Sequence, residues 1–219
     1  MPPSRDIPGP APPAPPAPPG PAGPAGPEVE VIPLGRVSAT ALAVVAAHLQ
    51  ALLELNALVL PARPDPRHCL SPTRGQYDAG LILRDLSAEP APLPLRLGII
   101  GHDLCLTFLT FVFGEAQLGG QAAVVSLHRL WRSEDGVRAP RTQVLERLAK
   151  VSLHETAHLL GLAHCRATGC LMRFSGGLAE LDRLDLEFCP ACQRQLALAR
   201  LGRRAERPRA PEGPGLGAT

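Results

Sequence analysis

The stretch HETAHLLGLAHC, from His154 to Cys165, constrains the fold of this chain more strongly than any other segment. Apolar residues recur at helical spacing through residues 142–160, which predicts a helix with one buried side. Gly161 follows directly and is suited to end this helix in a left-handed conformation. The stretch is therefore predicted to begin on a helix and to finish beyond a turn.

Three histidines and a glutamate in this stretch have the spacing of a hydrolytic zinc site. His154 and His158 are four residues apart, so a helix separates them by only about 40° around its axis and about 6 Å along it. Such sites use three protein ligands and keep one open position, and His164 can return after the turn at Gly161 as the third ligand. Glu155, about 100° round the helix, suits a general base acting on a zinc-bound water. The pattern predicts a catalytic zinc and peptide-bond hydrolysis.

Four cysteines follow in two close pairs, which are Cys165 with Cys170 and Cys189 with Cys192. Two pairs of thiolates at such short spacings can complete a closed, tetrahedral zinc site that stabilises the fold. A redox pair at Cys189 and Cys192 is the alternative, but it leaves the first pair without a role. We therefore predict a second, structural zinc on the four cysteines.

The two ends of the chain differ in composition from the middle. Residues 1–27 are rich in Pro, Ala and Gly and are predicted to form a disordered arm, without the apolar run of a secretory signal. Residues 203–219 are predicted to form a disordered tail, which leaves 28–202 as one folded domain. Polar residues interrupt the longest apolar stretch, so it is interpreted as a helix over roughly 39–56 and not as a membrane span.

Charge and cysteine usage limit the partners and the compartment. The net charge of +2 is too small to indicate a nucleic-acid-binding surface. Without an export signal, clustered thiols are interpreted as metal ligands, and Cys69 and Cys105 as buried apolar side chains. We expect a cytoplasmic monomer that acts on a peptide or protein substrate, with neither nucleic acid nor membrane as a partner.

The remaining segments predict a mixed α/β (α+β) fold. VEVIPLG has the alternation of a short strand, Ser38 is a suitable N-cap for the next helix, and a short helix is expected over Asp78–Leu86. Three apolar, β-branched or aromatic runs, LRLGIIGHDL, LTFLTFVFG and QAAVVSLHRL, are predicted strands. These strands precede the long helix that carries the histidines.

The combined motif H-E-x-x-H-x-x-G-x-x-H-C-x4-C-x-M, followed by C-x-x-C, resembles that of the archaemetzincins, a metzincin branch of the zinc metallopeptidases. The resemblance extends upstream through RGQYDA and TFVFGEAQLGGQAAVVSLHRL. It implies a metzincin-like domain with a mixed twisted sheet, an active-site helix and a small C-terminal part organised by the four-cysteine zinc. It also implies two zinc ions, Glu155 as catalytic acid and base, and Met172 in a methionine turn beneath the catalytic metal. The chain departs from the family's usual H-E-L-G-H core by having Thr156 and Ala157.

The same resemblance implies a substrate-binding edge strand above the cleft, formed by Val124, Val125 and Ser126, where an extended peptide could pair. Glu115 and His128 are weaker candidates for side chains that face the cleft. Some members of the family are assigned aminopeptidase activity, so aminopeptidase-like cleavage of short peptides is expected from the resemblance. Nothing in the sequence defines the specificity pocket.

Two other classes of protein compete with a peptidase. A catalytically weak or inactive two-zinc protein could bind peptides as a scaffold, although every residue of the catalytic motif is present. A zinc-ribbon-like nucleic-acid module would need a basic face with stacking aromatic residues, and the cysteine region is acidic instead. The sequence therefore favours the zinc metallopeptidase.

Overall fold

The computed structural model describes residues 28–90, 93–133 and 137–206, with the backbone alone for the last three. The arm predicted over 1–27 lies outside the described residues, as does the part of the predicted tail from residue 207 onward. The final helix continues to Glu206 and so overlaps the first residues of that predicted tail. The boundaries of the predicted domain remain predictions.

A five-stranded sheet forms the centre of the fold, with the strand order β2-β1-β5-β9-β8. Four neighbouring strands are parallel, and β8 alone runs antiparallel to β9. The strands are β1 (Val29–Leu34), β2 (Ala57–Val59), β5 (Leu95–Ile100), β8 (Gly114–Ala116) and β9 (Ala122–Ser126). This mixed sheet confirms the predicted α/β class.

A second, four-stranded sheet has the order β3-β4-β6-β7. Its strands are β3 (Leu70–Ser71), β4 (Gln76–Asp78), β6 (Leu104–Leu106) and β7 (Leu109–Val112). The predicted strand LTFLTFVFG is thus divided between the end of β6, a turn, and β7. The turn contains neither Gly nor Pro, so no residue typical of turns marks its position. Phe108 at its tip is 96% exposed.

Five α-helices accompany the two sheets in the described part of the chain: α1 (Ala39–Leu53), α2 (Ala79–Ala88), α3 (Arg141–Leu159), α4 (Leu178–Arg183) and α5 (Pro190–Glu206). The side chain of Ser38 caps α1 by accepting a hydrogen bond from the Ala41 amide, as predicted. The helix ends before the predicted residue 56, because Glu54 adopts a left-handed conformation with φ of 50°. None of the helices in the described part of the chain combines the length and the hydropathy that a membrane span requires.

The helices cover both faces of the five-stranded sheet. Val125 and its neighbours on one face pack with α1 and α3, whereas Val124 and its neighbours on the other face pack with α2. Alternate residues of one strand therefore enter different cores, as the two-residue period of a strand requires. The position of α3 across one face brings the predicted histidines to the end of the sheet that β8 closes.

The prediction that Val124, Val125 and Ser126 form the edge strand of the sheet is wrong. Val124, Val125 and Ser126 lie in β9, which pairs with β5 on one side and with β8 on the other, and all three are at most 2% exposed. A strand with two neighbours has no free backbone edge for a peptide, and its continuous apolar run is typical of burial on both faces. The two edge strands of this sheet are β2 and β8, and the one next to β9 is β8, Gly114–Ala116.

Candidate active site

The end of α3 brings the three predicted histidines together. The Nε2 atoms of His154 and His158 are 3.0 Å apart, and the chain then turns at Gly161, whose φ is 88°. The turn returns His164, whose ring centroid lies 5.2 Å from that of His154 and 4.9 Å from that of His158. A residue with a side chain is strained at such a φ, which explains the glycine.

Backbone carbonyls fix the orientation of two of these imidazoles. The Nδ1 of His154 is 2.8 Å from the Leu171 carbonyl oxygen, and the Nδ1 of His158 is 2.6 Å from the Leu162 carbonyl oxygen. A carbonyl only accepts, so each Nδ1 carries the hydrogen and each Nε2 presents a lone pair. The sequence did not reveal these carbonyls, because their contacts depend on the path of the chain after the helix.

The arrangement of nitrogen atoms fits a divalent metal ion. Two Nε2 lone pairs at 3.0 Å repel each other unless a cation lies beside them. Burial lowers the pKa of His154 to about 4 and also lowers the pKa of His158, so both rings are neutral near pH 7. Neutral imidazole is the form that binds zinc, and three imidazole nitrogens within 4.8 Å of one another beside an open space suit a catalytic site.

Glu155 lies next to this cluster and is 8% exposed. Burial raises the pKa of its carboxyl well above the usual range, and the nearby carboxylate of Glu115 raises it further. A Cβ atom at position 114 would lie 2.7 Å from Glu155 Cγ, so the glycine at this position leaves room for the side chain. Gly114 is a site residue that the sequence did not reveal, since the contact joins a strand to a helix.

A cavity of about 480 Å³ opens over the histidines and Glu155. On one side it is bounded by β7 and β8, and on the other by α3, the segment 171–176 and α4. Glu115 lines this cavity, whereas His128 is not among the lining residues. Lys150 and Phe174 also line it, and the Phe174 ring lies edge-on to His164 with centroids 5.4 Å apart. Lys150 was detectable from sequence, because it precedes His154 by one helical turn.

The four predicted cysteines form a second cluster. Their sulfur atoms all lie within 4.8 Å of one another, with the contacts Cys165–Cys189 and Cys170–Cys192 at 3.8 Å each. Tetrahedral zinc with Zn–S bonds of about 2.3 Å places its sulfur atoms about 3.8 Å apart, so the separation fits the metal.

The thiols of this cluster differ in their ease of ionisation. A hydrogen bond from the Cys192 backbone lowers the pKa of the Cys189 thiol to about 7. Burial raises the pKa values of Cys170 and Cys192. Backbone amides of Ala167 and Cys189 each lie 3.4 Å from a sulfur atom, as donors to thiolates would. The donor set suits a closed metal site without an open position.

The segment between the two clusters contains Met172, which is fully buried. Its carbonyl accepts a hydrogen bond of 2.8 Å from the Cys165 amide, so it lies in the turn that connects the two clusters. Its predicted role beneath the metal stays a prediction.

The other two cysteines, Cys69 and Cys105, are 1% and 2% exposed, which confirms their predicted burial. Cys69 also belongs to a third group of ligand-type side chains, with His68 and Asp85. Within this group the exposed His68 Nε2 lies 2.6 Å from Asp85 Oδ2, and the Cys69 thiol donates a hydrogen bond to the same oxygen at 3.4 Å. The group lies on the α2 side of the sheet and lines no part of the cavity over the histidines.

Comparisons with known proteins agree with this geometry. The model of a family described as Peptidase family M54 matches residues 95–198. A protein of Archaeoglobus fulgidus named archaemetzincin is 35% identical over 165 residues, which cover 75% of this chain and 96% of that protein. An archaemetzincin of Methanopyrus kandleri is 39% identical over 127 residues, which cover 58% of this chain and 69% of that protein.

Three solved structures of related proteins have the same fold as this chain. The crystal structure of the Archaeoglobus fulgidus archaemetzincin complexed with malonate matches with a TM-score of 0.67 and 35% identity, covering 77% of this chain and 99% of that one. The Methanopyrus kandleri archaemetzincin matches with a TM-score of 0.71 and 31% identity, covering 82% of this chain and 99% of that one. A zinc-dependent peptidase of Methanocorpusculum labreanum matches with a TM-score of 0.69 and 30% identity, covering 77% and 99%.

Proposed function

The chain belongs to the archaemetzincin family and is a zinc metallopeptidase, and on that premise we propose how its residues divide the work. His154, His158 and His164 hold the catalytic zinc, and Glu155 is the general base and acid of peptide-bond hydrolysis. The four-cysteine cluster holds a second zinc, which is structural. The observation that supports this most strongly is the pair of anchored imidazoles whose free nitrogens meet at the cavity, beside Glu155.

Each residue of the histidine cluster has a definable task. A zinc ion bound there would polarise the scissile carbonyl group and make a water molecule more acidic. The carbonyls of Leu171 and Leu162 hold the rings of His154 and His158 in the tautomer that leaves Nε2 free. Glu155 accepts the proton of the attacking water and delivers it to the departing amine. Its raised pKa makes it a good acceptor, and a bound cation would moderate that rise.

The substrate is expected to lie along β8. Because this strand has a sheet neighbour only on the β9 side, its outer backbone groups are available for an extended peptide. Gly114–Ala116 also borders the cavity, so a peptide paired there would pass directly over Glu155. This position replaces the buried strand β9 as the proposed substrate-binding edge.

We further propose that the enzyme cleaves short peptides at their amino terminus, as an aminopeptidase does. An aminopeptidase has to bind the charged amino terminus of its substrate close to the scissile bond. Glu115 lines the cavity, and its side chain makes no hydrogen bond or ion pair with another described residue, so its carboxylate is suited to that amine. An endopeptidase would have no need for this contact.

The four-cysteine zinc is proposed to stabilise the C-terminal part of the fold. The cluster joins the turn after α3 to the start of α5, two segments that are distant in sequence. A metal held by both segments would lower the free energy of the folded chain relative to the unfolded one. It would also fix the chain immediately after His164.

The test is the substitution Glu155→Gln, with Glu54→Gln as the matched control on an exposed glutamate far from the cavity. Zinc content per chain and cleavage of a peptide library are measured on both variants and on the wild type. We expect two zinc ions in all three, and cleavage reduced by about 10²- to 10⁴-fold only in Glu155→Gln. Undiminished cleavage in that variant would contradict the proposal. Two zinc ions with peptide binding and no cleavage by the wild type would favour the inactive scaffold.

A further inference from the structure

Lys150 is a buried charge that the proposed mechanism does not use. It is the single lysine of the chain, and it lies on α3 one helical turn before His154. Its side chain is 2% exposed, and the residue nevertheless lines the cavity over the histidines. A charged side chain is buried at such a place only when something compensates the lost hydration.

The hydrogen-bonding partners of Lys150 leave its ammonium group incompletely satisfied. Its Nζ lies 2.7 Å from Glu146 Oε1 and 3.5 Å from the Asp182 carbonyl oxygen. An ammonium group has three N–H donors, so the third has no acceptor among the described residues. The Asp182 carboxylate accepts hydrogen bonds from the Arg147 guanidinium and the Gln143 amide and none from Lys150, although the Lys150 charge contributes to lowering its pKa.

Glu146, the ion-pair partner of Lys150, is far more exposed to solvent than Lys150 is. The side chain of Glu146 is 56% exposed, so it compensates the ammonium from the solvent side. The cavity that Lys150 lines is also lined by the apolar side chains of Val151, Leu181 and Leu184. Such surroundings strengthen the attraction between the ammonium and any anion that enters, because little water screens it.

We infer that Lys150 binds a carboxylate of the substrate in the part of the cavity next to His154. The enzyme then prefers peptides that carry a carboxylate on a residue next to the scissile bond. The carboxylate is the side chain of Asp or Glu, or the terminal carboxylate of a short peptide, and both present the same two oxygens. This inference rests on the proposed peptidase function and adds a substrate class to it.

A purely structural role for Lys150 makes a different prediction. If the pair with Glu146, four residues earlier, only stabilises α3, replacing Lys150 lowers stability slightly and changes the cleavage of acidic and neutral substrates by the same factor. A carboxylate-binding role instead changes the ratio between acidic and neutral substrates.

The experiment uses peptides that differ only by Glu or Gln next to the scissile bond, each with a free or an amidated C-terminus. For the wild type and Lys150→Met, kcat/KM is measured on every peptide, and the Kd of the same peptides is measured in a Glu155→Gln background. Arg183→Met, an exposed cation on α4 outside the cavity lining, is the control for the loss of one positive charge. Glu146→Gln removes the competing carboxylate without touching Lys150.

We expect the wild type to prefer a carboxylate peptide by about 10- to 100-fold, the range of a hydrogen bond to a charged group. The preference should fall to near one in Lys150→Met, persist in Arg183→Met and persist or increase in Glu146→Gln. Comparison of the Glu and Gln peptides tests binding of a side-chain carboxylate, and comparison of the free and amidated peptides tests binding of the terminal carboxylate. An unchanged ratio in Lys150→Met, or equal Kd values for all peptides, overturns the inference. If no peptide is cleaved but the ratio of Kd values between neutral and carboxylate peptides still depends on Lys150, the peptidase proposal is contradicted and the carboxylate site is retained.

Discussion

The three-histidine cluster and the four-cysteine cluster lie side by side but differ in their surroundings. The histidines face a cavity of about 480 Å³, and His164 is exposed. The cysteine sulfurs face one another at 3.8 Å in pairs, and none of the four cysteines lines that cavity. The three histidines therefore leave room for a fourth ligand from the cleft, whereas the four thiols enclose a common centre and leave no open position.

One short segment links the two clusters. His164 and Cys165 are adjacent in sequence, and the Cys165 amide donates to the Met172 carbonyl at 2.8 Å. Leu171 connects them a second time, because its carbonyl orients His154 while its amide donates to the Glu187 carbonyl at 2.9 Å. Disorder in the cysteine cluster should therefore reach the histidines, while the opposite effect should be weak.

Loss of a cysteine ligand tests whether the histidine cluster depends on the cysteine cluster, and it should cause the greatest loss of zinc and of stability. We predict that Cys170→Ser loses the structural zinc and, because His164 and Leu171 are no longer held, much of the catalytic zinc as well. Structural zinc binding is worth on the order of 10 kcal/mol in small zinc domains, so stability should fall by several kcal/mol. The matched variant His164→Ala should lose only the catalytic zinc and keep a nearly normal thermal midpoint.

Metal analysis and thermal unfolding on the two variants measure this difference. Loss of one zinc in each variant, with similar thermal midpoints, would show that the clusters are independent and would remove the link through residues 164–172.

The second prediction concerns pH and belongs to the histidine cluster. After mild chelation has removed the catalytic zinc, the folded pKa of His154 is about 4, below its ordinary value of 6.5. Between these values the unfolded chain binds more protons, so stability is present above pH 6.5 and is lost as the pH falls toward 4. The full effect is at most about 3 kcal/mol.

Denaturant unfolding at a series of pH values measures this contribution of His154 to the stability, with His154→Gln as the control. The wild type should lose more stability on acidification than the variant does, and added zinc should further stabilise the wild type near neutral pH, where His154 is neutral and free to bind it. Parallel pH profiles for the two proteins would mean that His154 does not titrate in this way.

The third prediction compares two glycines, one beside each cluster. In Gly114→Ala the new Cβ would lie 2.7 Å from Glu155 Cγ, so we expect kcat to fall by about 10- to 100-fold with the zinc content unchanged. In Gly169→Ala, where φ is 75° and a Cβ would clash with the Asp185 carboxylate, we expect a loss of about 1 to 3 kcal/mol in stability.

Gly202→Ala, on α5 with no atom near its new Cβ, is the control for both variants. Peptidase assays and unfolding curves on the three proteins should separate an effect on activity from an effect on stability. If Gly114→Ala retains full activity, the close approach of β8 does not fix Glu155.

Much of the site was predictable, because its side chains follow the period of a single helix and two short thiol spacings. The spacing of His154 and His158 fixes their common side on α3, and the structure brings all seven predicted ligands into two clusters. The edge strand was not predictable from the run containing Val124, because an apolar strand does not reveal which strands become its neighbours. The carbonyl of Leu171 and the contact of Gly114 depend on chain packing in the same way.

The central claim is that adjacent residues of one chain serve two different zinc sites. Zinc X-ray absorption on the purified protein tests it most directly, together with the zinc content. We predict two zinc ions per chain and, averaged over them, about two sulfur ligands at about 2.3 Å and about two nitrogen or oxygen ligands at about 2.0 Å. A single zinc whose ligands are only sulfur, or only nitrogen and oxygen, would contradict the account.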